Sequence, residues 1–258
     1  MSNPERTRET GVQSVDRAIS VLEILARRGE AGVSELATEL EVHKSTAFRL
    51  LGALEVRGLA EQIGDRGKYR LGFGLIPLAG RVSERLEVTQ QGRSVCEDLA
   101  SQLGETVNIA ILDQGVAVNV DQARGPATVT TYNWLGRITP LHSTSSGKIL
   151  LSAADPVDRE KLLVDLPRTT PRTLVTPAKL AAEMDGVAEQ GYAWALEEYE
   201  VGLNAVAAPI RDHSGTVVAA LSVSGPAYRL PPDRIELITP DVVAAGMEIS
   251  RRMGHWVR

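Results

Sequence analysis

Between Ser34 and Leu59 the chain reads SELATELEVHKSTAFRLLGALEVRGL, and this stretch restricts the N-terminal fold more than any other. Leu36, Ala37 and Leu40 form the apolar stripe of a short helix. Ser34 is its expected N-cap, and Glu35 sits in the first turn, where the helix dipole favours a carboxylate. Glu41-Val42 makes the turn. A longer helix then repeats apolar residues at Ala47, Leu50, Leu51 and Leu54, the spacing of a buried face. Its outer face opens with His43, Lys44, Ser45 and Thr46 and continues to Arg49. Short hydroxyls and cations in a first helical turn are the groups that reach phosphates and base edges. The same pattern also fits an ordinary amphipathic helix pair, so the flanking segments have to decide.

Those segments favour nucleic acid. Ala60–Ile63 and Lys68–Leu71 read as two strands joined by Gly64-Asp65-Arg66-Gly67, a turn rich in residues that accept positive φ. Arg66, Lys68 and Arg70 give this hairpin a cationic tip and return strand. Upstream, Val15, Ala18, Ile19, Leu22 and Ala26 mark a covering helix. The combination predicts a winged helix-turn-helix domain over residues 11–73, after a disordered tail over 1–10.

The formal net charge of −5 appears to oppose DNA binding until it is divided. Residues 1–73 carry 11 Lys+Arg and 11 Asp+Glu, and residues 74–258 carry 17 and 22. From His43 to Phe73 the balance is 6 against 3. The basic charge is local, which suits a few phosphate contacts supplemented by base readout.

A linker helix is expected over 74–87, apolar at helical spacing and containing Pro77. Residues 88–258 then mix periods. Val88–Leu103 is helical and closed by Gly104. Thr106–Leu112, Val116–Asp121 and Val129–Trp134 are β-branched runs between turn residues. Ser145–Leu151, Lys161–Val164 and Ala178–Gln190 read as helices, and Val206–Arg211 with Val217–Val223 as a hairpin. Asp233 to about Met253 reads as a final helix interrupted at Pro240. The fold class is therefore α+β, with an antiparallel sheet flanked by helices.

Catalytic and metal chemistry find no support in the residues. The four histidines, His43, His142, His213 and His255, are scattered, with none at metal-ligand spacing. No G-x-S-x-G elbow occurs, and Ser146-Gly147-Lys148 lacks the upstream glycine of a phosphate loop. Cys96 lies on a helical apolar pattern, as a packed thiol would. No enzyme activity, cofactor or metal is expected. The polar N-terminus MSNPERTRET and the lack of a long apolar run lead to the expectation of a cytoplasmic protein without membrane contact.

Small-molecule binding is better supported. Leu141–Gly147 sets hydroxyls and backbone N–H groups at a helix start, where an anion is favoured; a plain Ser/Thr cap would look the same. Ser222 and Ser224, two apart on one strand, share a face and need hydrogen-bond partners.

Six segments taken together resemble the IclR family of bacterial transcriptional regulators. They are SVDRAISVLEIL (14–25), the stretch 36–59 around KSTAFRLL, YRLG (69–72), PLHSTSSGKILL (140–151), GYAWALEEYEVGLNAVAAP (191–209) and VAALSVSGPAYRL (218–230). The resemblance implies a GAF-like effector domain over 88–258 and a regulator, with repression the expected sense. It further implies a palindromic operator bound as a homodimer or homotetramer, and a small organic-acid effector. The implied DNA contacts are His43, Lys44, Ser45, Thr46, Arg49, Arg66 and Lys68. The implied effector-binding positions are Thr131, Ser145, Ser146, Ala195, Leu203, Ala205, Ser222 and Ser224. Relatives that sense glyoxylate or pyruvate carry an aspartate and a cysteine where this chain has Ala195 and Ala205. A larger, more apolar pocket is the expectation, with Tyr132, Asn133, Trp134 and Trp194 nearby in sequence, and with glyoxylate not the ligand. An enzyme or metabolite-binding module whose winged helix serves protein contacts is the alternative, and Lys44, Thr46, Arg49 and the basic hairpin speak against it.

Overall fold

Apolar residues at helical spacing organise the N-terminal part of the chain, and alternating ones organise the rest. The computed structural model describes residues 13–64, 67–78, 87–126, 133–163 and 166–256. The chain divides into two compact units, Met1–Ser83 and Glu84–Arg258, described separately below.

In the first unit, α1 (Gln13–Arg28) is followed by β1 (Ala31–Gly32), α2 (Val33–Glu39), α3 (Lys44–Val56), β2 (Ala60–Ile63) and β3 (Lys68–Leu71). The strands form a small antiparallel sheet in the order β1-β3-β2. Leu36 and Ala37 of α2 and Ala47, Leu51 and Leu54 of α3 are buried in one core with Ala31, Ala60 and Tyr69. The α2–α3 turn depends on Glu41, which takes a φ of 53° so that Val42 N–H can reach back to Ala37 O at 2.9 Å.

Two local expectations need correction here. Ser34 does not cap α2. Gly32 is the N-cap, and Glu35 Oε2 accepts its backbone N–H at 2.7 Å, the returning half of a capping box. The helix starts earlier because β1 carries Ala31 and Gly32 into pairing with Tyr69 and Lys68. On α1 the buried residues are Val21, Ile24 and Leu25, flanked by Ala18 and Leu22. Val15 and Ile19, expected inside, are 52% and 50% exposed. The helix's first two turns extend past the small core, so the inward stripe begins at Ala18.

The second unit contains α4 (Glu87–Leu103), β4 (Thr106–Asp113), β5 (Val116–Arg124), β6 (Ile138–Thr139), α5 (Ser145–Ala153) and α6 (Pro156–Leu162). It continues with α7 (Pro177–Gln190), β7 (Ala193–Leu196), β8 (Leu203–Arg211), β9 (Val217–Pro226) and α8 (Pro232–Arg252). Its antiparallel sheet has six strands in the order β6-β5-β4-β9-β8-β7. Val206, Ala208, Leu221 and Val223 pack with α4 and α8. Their neighbours Ala207 and Ala220 pack with α5 and α7. Alternation along the strands thus sends successive residues to opposite helical layers.

The final helix is not interrupted at Pro240; α8 runs continuously through it. A proline there removes one backbone hydrogen bond and strains the preceding turn. Burial of Ile235, Ile238, Val242, Ala245 and Ile249 along the same face holds the helix together across that position. The helix expected from Lys161 begins earlier, at Pro156, capped by Asp155, whose side chain accepts from Val157 N–H. In the strand expected over 129–134, residues 129–132 lie outside the described residues, and Asn133 and Trp134 are in a loop. Of the expected linker helix, 75–78 is helical and 79–86 lies outside the described residues. No helix among the described residues is long and apolar enough to cross a membrane.

The α1 register can be checked directly. Leu25→Ala should destabilise the first unit by about 2–5 kcal/mol through an unfilled cavity, and Ile19→Ala by less than about 0.5 kcal/mol. Thermal unfolding of the two variants measures the difference.

Candidate functional site

At the start of α3, His43 occupies the N-cap in an extended conformation without a side-chain capping bond. His43, Lys44, Ser45, Phe48 and Arg49 are exposed and Thr46 is half-buried. Among the described residues, Lys44 and Arg49 have no ion-pair partner. Their charge is thus available without breaking an existing contact. The hairpin differs from expectation. Lys68 is paired with Glu30, and Arg70 Nε with Glu61 Oε1 at 2.6 Å, directly across the β2–β3 ladder. Arg66 lies outside the described residues. The free positive charge therefore sits on α3 rather than on the hairpin strands.

In the second unit a slot opens on the sheet face beneath the N-terminus of α5. It is lined by Ser145, Ser146, Ala195, Leu203, Ala205, Ser222 and Ser224 of the expected set. Thr131 lies outside the described residues. Strand register explains the assembly. Ala195 pairs with Ala205, Ala205 with Ser224, and Ser222 with Asn108, so neighbouring strands present these side chains in adjacent rows. Asn119 of β5 extends the polar end. The floor thus grades from amides and hydroxyls on β5, β4 and β9 to alanines on β8 and β7.

The α5 end of the slot is tightly built. Thr144 Oγ1 accepts from Gly147 N–H at 3.1 Å and donates to Pro140 O at 2.9 Å, and Lys148 N–H reaches Thr144 O at 2.9 Å. The expected Ser/Thr cap is therefore present. Thr144 is the cap, while the backbone N–H groups of Ser145 and Ser146 have no partner among the described residues. Gly147 is required for this packing, since a Cβ there would come within 2.5 Å of Leu141 O. His142, 3% exposed, bonds through Nε2 to Pro167 O at 3.0 Å and orders the loop before α5.

Lys148 resolves the meaning of the Ser-Gly-Lys sequence. Its side chain is 1% exposed, and Nζ contacts Glu198 Oε1 at 2.7 Å, Glu183 Oε1 at 2.8 Å and Trp194 O at 2.9 Å. It does not line the slot, which has no charged residue among its described lining. Burial raises the Glu198 carboxyl above the usual carboxylate range, and the Lys148 ammonium partly opposes that rise. Cys96 is buried, and desolvation pushes its thiol up to about 12, which keeps it protonated and unreactive.

Ala195 and Ala205 line the slot side by side, paired across β7 and β8. The slot contains about 440 Å³ of unfilled space including its mouth. Trp134 and Tyr199, with ring centroids 6.1 Å apart, line the same slot. Asn108, Asn119, Thr139 and Tyr199 are lining residues that the sequence reading missed. The signal for the two asparagines was present, since each interrupts an apolar β-branched run.

Residues 14–64 match the IclR helix-turn-helix domain, and residues 80–251 match the family described as bacterial transcriptional regulator IclR C-terminal. The HTH-type transcriptional regulator KdgR of Escherichia coli K12 is 31% identical over 246 residues, covering 95% of this chain and 94% of KdgR. The HTH-type transcriptional repressor AllR of Salmonella typhimurium LT2 is 36% identical, covering 89% and 86%. Among solved structures, the Thermotoga maritima IclR superposes with a TM-score of 0.76 at 30% identity, covering 94% of this chain and 99% of that one. An IclR homolog complexed with 4-hydroxybenzoate from Microbacterium hydrocarbonoxydans gives 0.81 at 28% identity, covering 93% and 99%.

The buried cation makes a stability prediction. Lys148→Met should destabilise the second unit by about 3–5 kcal/mol, because it leaves Glu198 buried and unpaired. Adding Glu198→Gln should recover part of that loss. Denaturant unfolding of the single and double variants measures the coupling.

Proposed function

The chain belongs to the IclR family of bacterial transcriptional regulators and is a regulator rather than an enzyme; from that premise we propose that it represses transcription under the control of a small organic acid. The proposed operator is palindromic and is bound by a homodimer, with pairing of dimers into a tetramer as a further step. The proposed DNA contacts are His43, Lys44, Ser45, Thr46 and Arg49 on α3, with Arg66 and Lys68 contributing from the hairpin. The domain limits proposed are 11–73 for DNA binding, 74–87 for the linker and 88–258 for the effector domain, acting in the cytoplasm.

One observation carries this reading. A single chain combines a helix-turn-helix whose leading cations are unpaired with an uncharged slot whose free N–H groups and hydroxyls suit a carboxylate. A lone winged domain with few phosphate contacts is a weak binder, whereas two on a palindrome act together. In the slot, the proposal seats the carboxylate at the Ser145 and Ser146 N–H groups, with Ser222 and Ser224 facing it. The remainder of the effector lies against Ala195, Leu203 and Ala205. Charge-assisted hydrogen bonds of this kind contribute about 1.5–3 kcal/mol each, enough for a reversible signal. A homolog of this chain was crystallised with 4-hydroxybenzoate, which supports an acid of moderate size.

Gel shifts with the DNA upstream of its own gene and of neighbouring genes test the DNA reading. Arg49→Ala should weaken operator binding by about 1–3 kcal/mol if Arg49 reads a base, and by less if it touches phosphate only. Unchanged affinity for both operator and random DNA would remove Arg49 from the interface. A protein-contact role for the winged helix would leave the wild-type chain without specific DNA affinity.

The effector reading has a separate test. Ala205→Leu should abolish release of operator by an effector acid while leaving operator affinity unchanged. Ser222→Ala with Ser224→Ala should raise the effector concentration needed for release. Wild-type release in both variants would place the effector elsewhere in the domain.

A further inference from the structure

Besides the free Ser145 and Ser146 N–H groups, two buried side-chain groups that line the slot lack a hydrogen-bond partner. Asn108 is 3% exposed and Ser143 fully buried, and both line the slot. Asn108 Nδ2 donates to Ser224 Oγ at 3.4 Å, but its Oδ1 has no hydrogen-bond partner. Ser143 Oγ also has none. Most buried side-chain polar atoms in folded proteins are partnered, so two orphans in one cavity point to a group that enters it.

The chemistry of that group follows from Asn108. An amide oxygen accepts hydrogen bonds and cannot donate. A carboxylate, ketone or ether placed beside it would displace any water there and leave the oxygen unsatisfied. An effector with an O–H or N–H directed at Oδ1 would satisfy it. The floor of the slot is graded, so the two ends of such a molecule are told apart. Asn108 lies opposite Ser222 in the strand ladder, one strand further from the alanines of β7 and β8 than β9 itself.

We infer that the effector is a hydroxy- or amido-substituted carboxylic acid whose donor is read by Asn108 Oδ1, rather than a simple or oxo acid. This inference rests on the proposed reading of the slot as the effector site and specifies what that site selects. Asn108 is its specificity-determining residue, and Ser143, able to donate or accept, is the second polar contact.

The test is a calorimetric titration of the full-length protein with matched acids. Suitable pairs are lactate and propionate, 3-hydroxybutyrate and butyrate, 4-hydroxybenzoate and benzoate, and N-acetylglycine and 4-oxopentanoate, with pyruvate as an oxo control. The donor-bearing member of any pair that binds should bind at least about tenfold tighter. Asn108→Ala should remove that preference while retaining binding of both members. Equal binding within every pair that binds would overturn the donor requirement and leave the acid-sensing reading intact. A preference for the oxo member, lost in Asn108→Ala, would mean that the amide presents its Nδ2 and would also overturn it. A donor preference surviving in Asn108→Ala would overturn the assignment to that residue. If no acid bound, the proposed sensing function would fall and the inference with it. The wild-type comparison needs no variant, so a misfolded Asn108→Ala leaves the donor requirement open to refutation.

Discussion

The Lys148 ammonium holds the slot face of the second unit in place. An isolated charge at 1% exposure would carry a desolvation penalty of several kcal/mol. The surrounding groups offset it only because three separate elements converge on one atom. Glu183 comes from α7, Trp194 O from β7, and Glu198 from the segment after β7. Satisfying this one charge therefore fixes α5 against α7 and sets the position of the segment that carries Tyr199 into the slot. Thr170 and Thr173 hold the same segment from the other side through Glu197 O and Glu198 O. The free N–H groups of Ser145 and Ser146 lie three and two residues before the lysine on the same helix. Their aim over the sheet follows from where the lysine is anchored.

Much of this was legible in the sequence. The spacing of Ala47, Leu50, Leu51 and Leu54 identified α3, and the Gly-Asp-Arg-Gly turn set β2 and β3 at their observed limits. Ser145, Ser146, Ala195, Leu203, Ala205, Ser222 and Ser224 are implied by the family resemblance; strand register brings the last five to one slot, and the start of α5 places the two serines over it. The structure adds the reason. Alternating residues of paired strands must share a face, so residues far apart in sequence become neighbours once the sheet order is fixed.

What was not legible depended on tertiary context. The true N-cap of α2 is set by β1, a two-residue strand too short to leave a periodic signal. Helix α8 passes through Pro240 because burial on both sides outweighs a local cost that sequence rules treat as decisive. Lys148 looked like a remnant of a phosphate loop because its acidic partners lie 35 and 50 residues away. Tyr199 sat within a strongly matching segment but carried no periodicity that distinguished a pocket wall from a surface turn.

The central claim is that one chain couples occupancy of the slot to affinity for operator DNA. Such coupling must be reciprocal at equilibrium. The most direct measurement is therefore the affinity of an acid that binds the slot, taken by calorimetry once with free protein and once with protein saturated by operator DNA. The account predicts weaker binding to the DNA-bound protein, by the same factor by which the acid weakens operator binding. Equal affinity for the free and DNA-bound forms would contradict it.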